Sequence, residues 1–379
     1  MSNKTVLFLV SSNKHTGPGA VALNHALVLR EAGWRALFVS QPGNSLQRAA
    51  EAAGVWAESG LALPTRSGFW RCLPDFFRLK SFLAEKKVAA IFSYRAHDHL
   101  LALLAGTVPI ARFVHNARDF CGGETLGGKL HRKLLASSAT RQIFLPDPAE
   151  VAPLRAWVPN PAISFAPGGV DTARFAPGES DLALRQELGF GTADVVAGIV
   201  SRIKPGRGHE LFLRAFAAAK NSVPELKALI LGDGLKKDRA ALLELASSLG
   251  VGGEVKVFAP EDRFKNALSV IDVGLLFHPG TAGNARAALE LMAFGCPLIV
   301  SDRGVLAQLG GETEAAGIVL PVGADADQNA GSFGDVLARL ALDPEERLAR
   351  GLAGRKLVEG KFSAQVLTRL LTGVLENLV

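Results

Sequence analysis

HPGTAGNARAALELMAFGCPLIVS, residues 278–301, reads in order as loop, helix, turn and strand. Gly280 and Gly283 punctuate a flexible entry. Ala285, Ala287, Ala288, Leu289, Leu291, Met292 and Ala293 are strong helix formers. Gly295 supplies the helix stop, with Pro297 just beyond it. The run Leu298 to Val300 is a buried strand. One cation, Arg286, and one carboxylate, Glu290, sit four residues apart on this apolar helix and so share a face. Spacing alone is met equally by a surface ion pair and by a site in which the glycine-rich entry offers backbone N–H groups to an anion.

The same alternation runs outward in both directions. Ahead of this stretch, strands fit 195–200, 227–231, 254–258 and 272–277, with helices over 209–220 and 235–249. After it, two helices are expected, about 344–359 and 363–378. In the first half, strands fit 5–10, 34–40, 88–93, 110–115 and 142–146, and a helix spans 20–31. Strand, helix, strand at this spacing builds a parallel sheet with helices on both faces, so the class is α/β. Residues 146–177 are rich in proline and glycine and have no helix-length periodicity. They read as the crossing between two domains, with a boundary near 171–177.

A length of 379 residues favours two domains over one. An apolar fraction of 48% with 21% charged residues is that of a globular protein with substantial cores. Cys72, Cys121 and Cys296 are far apart and odd in number, which argues against a disulfide framework and for a reducing compartment. No Cys/His cluster has zinc spacing, so no bound metal is expected. The start, MSNKTVLFLVSS, turns polar after one strand's length, and the apolar run 100–111 is interrupted by Gly106, Thr107 and Pro109. Neither resembles a signal or a bilayer span, so a cytoplasmic or peripheral location is expected. Charge is uneven: residues 1–172 hold 19 Lys+Arg against 11 Asp+Glu, while residues 173–379 hold 23 against 25. The basic half should prefer an anionic partner.

Several short segments carry chemistry. Gly17 and Gly19 lie between a strand and a helix and fit either a tight turn or a backbone cradle for an anion. The segment is not GxGxxG, and no acidic residue ends the second strand, which disfavours a dinucleotide site. SRIKPGRG, residues 201–208, gathers Arg202, Lys204 and Arg207 between a strand and a helix, a pattern suited to a diphosphate. LILGDG, residues 229–234, closes a strand at Gly232. SYRAHDH (93–99) and FVHNARD (113–119) follow strands, which makes His97, His115 and Asp119 candidates. Residues 65–87 interleave Phe69, Trp70, Phe76, Phe77 and Phe82 with Arg66, Arg71, Arg78, Lys80, Lys86 and Lys87. That suits an interfacial helix on an anionic membrane, and equally an amphipathic helix facing a core. No recognition motif for nucleic acid accompanies the charge.

Together these segments resemble the family 4 retaining glycosyltransferases. PGGVDTARF (167–175) is similar to that family's inter-domain signature, with Gly168 where Asn is usual. VSRIKPGRG (200–208) is similar to its Gly-Arg-x-x-x-x-Lys-Gly loop, with Arg207 at the Lys position. ALELMAFGCPLIV (288–300) is similar to its Leu-Glu-Ala-Met-Ala-x-Gly-x-Pro segment. The resemblance implies the GT-B fold: two Rossmann-like doubly wound domains facing a central cleft. Residues 1–172 would form the acceptor domain, with helix 363–379 packing back on it, and 173–362 the nucleotide-sugar donor domain.

The resemblance also implies roles. Arg202 and Arg207 would hold the donor diphosphate, Glu290 the nucleotide ribose, and His115 would stand near the transferred sugar. Gly17, Gly19, His97, Gly232, His278, Thr281, Gly283 and Asn284 would line the substrates. The donor would be a UDP- or GDP-sugar used without metal or cofactor. The acceptor would be a glycan or lipid-linked molecule, in lipopolysaccharide or other envelope polysaccharide assembly at the inner face of the cell membrane. The family pattern is Glu-x7-Glu, and Ala282 stands here in place of the first Glu. That departure allows an alternative: a non-catalytic relative that binds nucleotide or glycan as a scaffold.

Overall fold

A computed structural model describes the chain apart from residues 1–3, 13–16, 64–72, 116, 118–125, 167, 179, 261–262, 278–281, 304–305, 308 and 310–315. It divides into two compact units, residues 1–169 with 364–379, and residues 170–363.

Unit 1 is a six-stranded sheet ordered β2-β1-β3-β4-β5-β6. Its elements run β1 (Thr5–Val10), α1 (Pro18–Glu31), β2 (Arg35–Ser40), α2 (Ser45–Ala52), α3 (Leu73–Glu85) and β3 (Val88–Ser93). Then come α4 (Ala96–Ala105), β4 (Ile110–Phe113), α5 (Leu126–Leu135), β5 (Thr140–Leu145), α6 (Val151–Trp157) and β6 (Ala162–Phe165). All pairings are parallel. β1 is buried along its whole length, as a central strand covered on both faces must be. Residues of α1 and α2 pack on one face with Phe8, Phe92 and Phe144, while α3 and α4 pack on the other with Leu7, Leu9 and Ile91. The last helix, Ala364–Leu378, also belongs to this unit and buries Leu367, Leu371 and Leu375 beside α1.

Unit 2 repeats the plan, ordered β12-β11-β10-β7-β8-β9. It runs α7 (Leu182–Glu187), β7 (Val195–Val200), α8 (His209–Lys220), β8 (Leu226–Leu231), α9 (Lys236–Ser248), β9 (Val255–Phe258), α10 (Phe264–Ser269) and β10 (Val273–Leu276). There follow α11 (Ala282–Ala293), β11 (Leu298–Ser301), β12 (Gly317–Leu320), α12 (Ala326–Leu342) and α13 (Pro344–Leu357). The helix Ala364–Leu378, α14, returns to unit 1. Helices α8, α9 and α12 cover one face, and α7, α10, α11 and α13 the other.

Three differences from the sequence reading stand out. The stretch 146–177 is not a bare crossing, because it contains α6 and β6 and completes the first sheet. β12 and α12 were not foreseen either. The amphipathic segment 65–87 resolves, over α3, into a core-facing helix: Leu79, Phe82 and Leu83 are buried, and Phe77 alone of its aromatics is largely exposed.

Candidate functional site

In a doubly wound sheet, ligands bind at the carboxyl ends of strands where successive connections leave for opposite faces. In unit 2 that point lies between β7 and β10, which are neighbours. β7 leads into α8 on one face, and β10 leads into α11 on the other. Residues 201–208 form the first connection, and the second leaves β10 at Phe277.

The 201–208 loop is held tightly at its base. Ile203 N–H donates to the Asp233 carbonyl at 2.7 Å, and Ser201 N–H donates to the Leu231 carbonyl at 3.1 Å. Gly232 is demanded by this packing, since a Cβ there would lie 1.9 Å from the Ser201 carbonyl oxygen. Gly208 has φ +85°, and a Cβ on it would lie 2.5 Å from the Phe277 Cβ. Helix α8 begins there, and among the described residues no side chain caps it, which suits its first N–H groups to an anion.

Arg202 is exposed and Arg207 half-buried in this loop. Burial and then the like charge of Arg202 hold the Arg207 guanidinium below its ordinary pKa. Two cations brought this close, beside a helix N-terminus, make a locus that a diphosphate would relieve.

Glu290 lies on α11, 4% exposed. Its Oε1 accepts from Arg286 Nε at 2.9 Å. The i,i+4 pair therefore forms, with the carboxylate buried and Arg286 about half exposed. Burial raises the Glu290 pKa, and Arg286, with Arg174 more weakly, pulls it back down. Arg202 and Arg207 thus share one loop, whereas Glu290 sits on a helix of the opposite face with its own cation. Gly283 and Asn284 fall in the first turn of α11. His278 and Thr281, like Asp119, lie outside the described residues.

Unit 1 has its own switch point, between β1 and β3. Here Gly17 caps α1 with φ 55°, and Gly19 is buried in the first turn. Asp98, fully buried, ties the two connections together: Oδ1 accepts from Ser11 N–H at 2.8 Å and Oδ2 from Arg95 N–H at 3.0 Å. Arg95 Nη1 donates to the Ser11 carbonyl at 3.2 Å. His97, partly exposed, stands 3.8 Å from Asp98 Oδ1.

His115 follows β4 with its ring 4.7 Å from that of Phe113. Burial, then Arg112, His25 and Arg95, push its pKa down to about 3, so the imidazole is neutral. Its Nε2 has no hydrogen-bond partner among the described residues. Arg112, on β4, is 3% exposed, and its Nε and Nη1 likewise have none.

Asp98, Arg95 and Arg112 were not singled out from sequence. The signal for Asp98 was its place three residues into α4, where it closes a capping box with Arg95.

Among the described residues, no three His, Cys, Asp or Glu side chains gather as they would around a metal ion. No described helix is long and apolar enough to cross a membrane.

Residues 181–356 match the family model of glycosyl transferases group 1. The chain is 28% identical over 228 residues to a GDP-mannose-dependent monoacylated alpha-(1-6)-phosphatidylinositol monomannoside mannosyltransferase of Corynebacterium glutamicum, covering 58% of this chain and 57% of that protein. The chain spans about half the length of the curated relatives it matches. Among solved structures, a glycosyltransferase from Rickettsia africae superposes with a TM-score of 0.83 at 14% identity, over 100% of this chain and 99% of the other. Anabaena HepE in complex with UDP superposes with a TM-score of 0.79 at 16% identity, over 99% and 100%. The fold is thus the α/β GT-B fold of two Rossmann-like units.

Proposed function

We propose that the chain is a retaining glycosyltransferase that moves a sugar from a UDP- or GDP-sugar to a glycan or lipid-linked acceptor, without a resident metal or cofactor. The observation that carries this reading is the pair Arg202 and Arg207 in one loop at the switch point of unit 2, ahead of the start of α8. The match of residues 181–356 to the group 1 family model supports it.

In this reading the two guanidiniums and the α8 N–H groups bind the diphosphate and offset the charge that grows on it as the glycosidic bond breaks. Glu290 accepts from a ribose hydroxyl, with Arg286 holding its carboxylate in place. Acceptor recognition falls to unit 1, where neutral His115 can hydrogen-bond sugar hydroxyls. The relative's phosphatidylinositol mannoside acceptor and the basic character of residues 1–172 support an acceptor that is lipid-linked or anionic, at the inner face of the cell membrane, in envelope polysaccharide assembly.

The test is nucleotide release from UDP- and GDP-sugars with lipid-linked and free glycan acceptors, alongside calorimetric binding of UDP and GDP. Binding of neither nucleotide would refute the reading. Ala282, in place of the carboxylate usual at that position, favours a second reading: nucleotide binding without transfer. Nucleotide affinity with no turnover on any acceptor would select it.

A further inference from the structure

A side chain carried just past the end of a strand keeps its aim only if the backbone on both sides of it is fixed. His115 is held in this way. One residue before it, Val114 N–H donates to the Phe144 carbonyl of β5 at 2.9 Å, which continues the β4–β5 pairing beyond Phe113. Two residues after it, Ala117 N–H donates to Glu150 Oε2 at 3.0 Å. Glu150 lies 33 residues further along the chain. It closes the short 3-10 turn Pro148–Glu150 that joins β5 to α6. That turn is itself held, because the Asp147 carboxylate accepts from Ala149 N–H at 2.9 Å.

Packing alone does not call for a carboxylate at this place. Glu150 is 6% exposed, and Ala117 belongs to an apolar cluster with Val114, Leu154 and Val158. A charge brought there is destabilising unless its oxygens are bonded. What the carboxylate supplies is a grip on the backbone of the connection that carries His115, made from a separate element of the same unit.

We propose that Glu150 is a positioning residue for His115, fixing the connection after β4 so that the imidazole keeps one orientation. This rests on the reading of His115 as the group that hydrogen-bonds sugar hydroxyls. In the sequence Glu150 is one acid within the proline-rich stretch 146–177 and belongs to no motif.

Nucleotide release from UDP-glucose and GDP-mannose, with phosphatidylinositol micelles as acceptor, tests it on the full chain and on Glu150→Ala, Glu150→Gln, His115→Ala and the double variant. Glu150→Ala should lower kcat about tenfold, the scale of one lost hydrogen bond, with the donor KM within about twofold of the parent. Glu150→Gln keeps an oxygen that accepts from Ala117 N–H and should stay within about threefold. On the His115→Ala background, Glu150→Ala should bring no further loss, because the two changes remove one function. An equal loss with and without His115, or an unchanged kcat in Glu150→Ala, would overturn the proposal. Should Glu150→Ala not fold, Glu150→Asp takes its place under the same criteria, since it keeps the charge and withdraws the oxygen by one methylene. Absence of nucleotide release from the unsubstituted chain would instead count against the functional reading. The His115 ring Cε1–H resonance in NMR spectra then judges the positioning by itself. A resonance that moves in Glu150→Ala and returns in Glu150→Gln supports it, and one that stays in place in both overturns it.

Discussion

The carboxylate of Asp98 and the backbone N–H of Ser11, 87 residues apart in sequence, meet at 2.8 Å in the interior of unit 1. With its other oxygen on Arg95 N–H, Asp98 satisfies two loop donors at once. Asp98→Asn turns one acceptor into a donor facing a buried N–H. The expected loss is about 2 kcal/mol of stability, from an unmade hydrogen bond in a buried place. Denaturant unfolding measures it, and an unchanged midpoint would remove Asp98 from this role.

Arg202→Ala and Arg207→Ala should each weaken UDP or GDP binding by about 1–3 kcal/mol, as for a lost charged hydrogen bond, and leave the melting temperature nearly unchanged. Arg202 is exposed and Arg207 half-buried, and neither belongs to a core. Calorimetry at fixed salt reads this directly. Because the contact is charge on charge, the deficit should shrink as salt rises.

Glu290→Gln separates structure from binding. The pair with Arg286 is half solvated, so breaking it should cost under about 1 kcal/mol of stability. The amide also avoids burying a charge. If Glu290 accepts from ribose, nucleotide affinity should still drop about tenfold. A variant that binds nucleotide normally would leave Glu290 only its partner Arg286.

Acid should destabilise the protein through its buried histidines. Burial holds His25, His99 and His115 at about 3, and His131 and His209 at about 4. In the unfolded chain the same groups titrate near 6.5. Between those values the unfolded state binds more protons, so stability rises with pH and is lost as pH falls from about 6.5 toward 4. Four of the five lie in unit 1. Calorimetric scans from pH 7 to pH 4.5 should show the unit 1 transition moving down further than that of unit 2. Transitions that do not move would show that these rings are already solvated.

Gly232→Ala places a methyl carbon 1.9 Å from the Ser201 carbonyl oxygen, backbone against backbone. No side chain can yield there, so the loop must shift. The expected cost is about 1–3 kcal/mol, with nucleotide binding falling alongside. Full affinity in this variant would show that the loop tolerates displacement.

The βαβ alternation was legible because parallel strands covered on both faces read as continuous apolar runs. What escaped has local causes. β6 follows Pro161 at the edge of its sheet, where a missing N–H is tolerated, and α6 carries Pro153 in its first turn. α12 was hidden by Gly331 and Gly334, which lower helix propensity. Gly334 is there for packing: a Cβ would lie 2.9 Å from the Ala215 carbonyl oxygen of α8. For the candidate site, motif spacing singles out Arg202 and Arg207 on a loop and Glu290 on a helix. Arg112 and Asp98 escaped because polar residues within a strand or at a helix start look like ordinary solvated positions until burial is known.

Val170 N–H donates to the Phe362 carbonyl at 2.9 Å, so the chain leaves unit 2 beside the point where it entered. Unit 2 is therefore an insertion, and α14, with Leu367, Leu371 and Leu375, completes the core of the unit made first. During synthesis the order of maturation is inverted. Residues 170–363 can close on themselves while residues 1–169 still wait with an apolar groove uncovered, until the final fifteen-residue helix emerges and seals it.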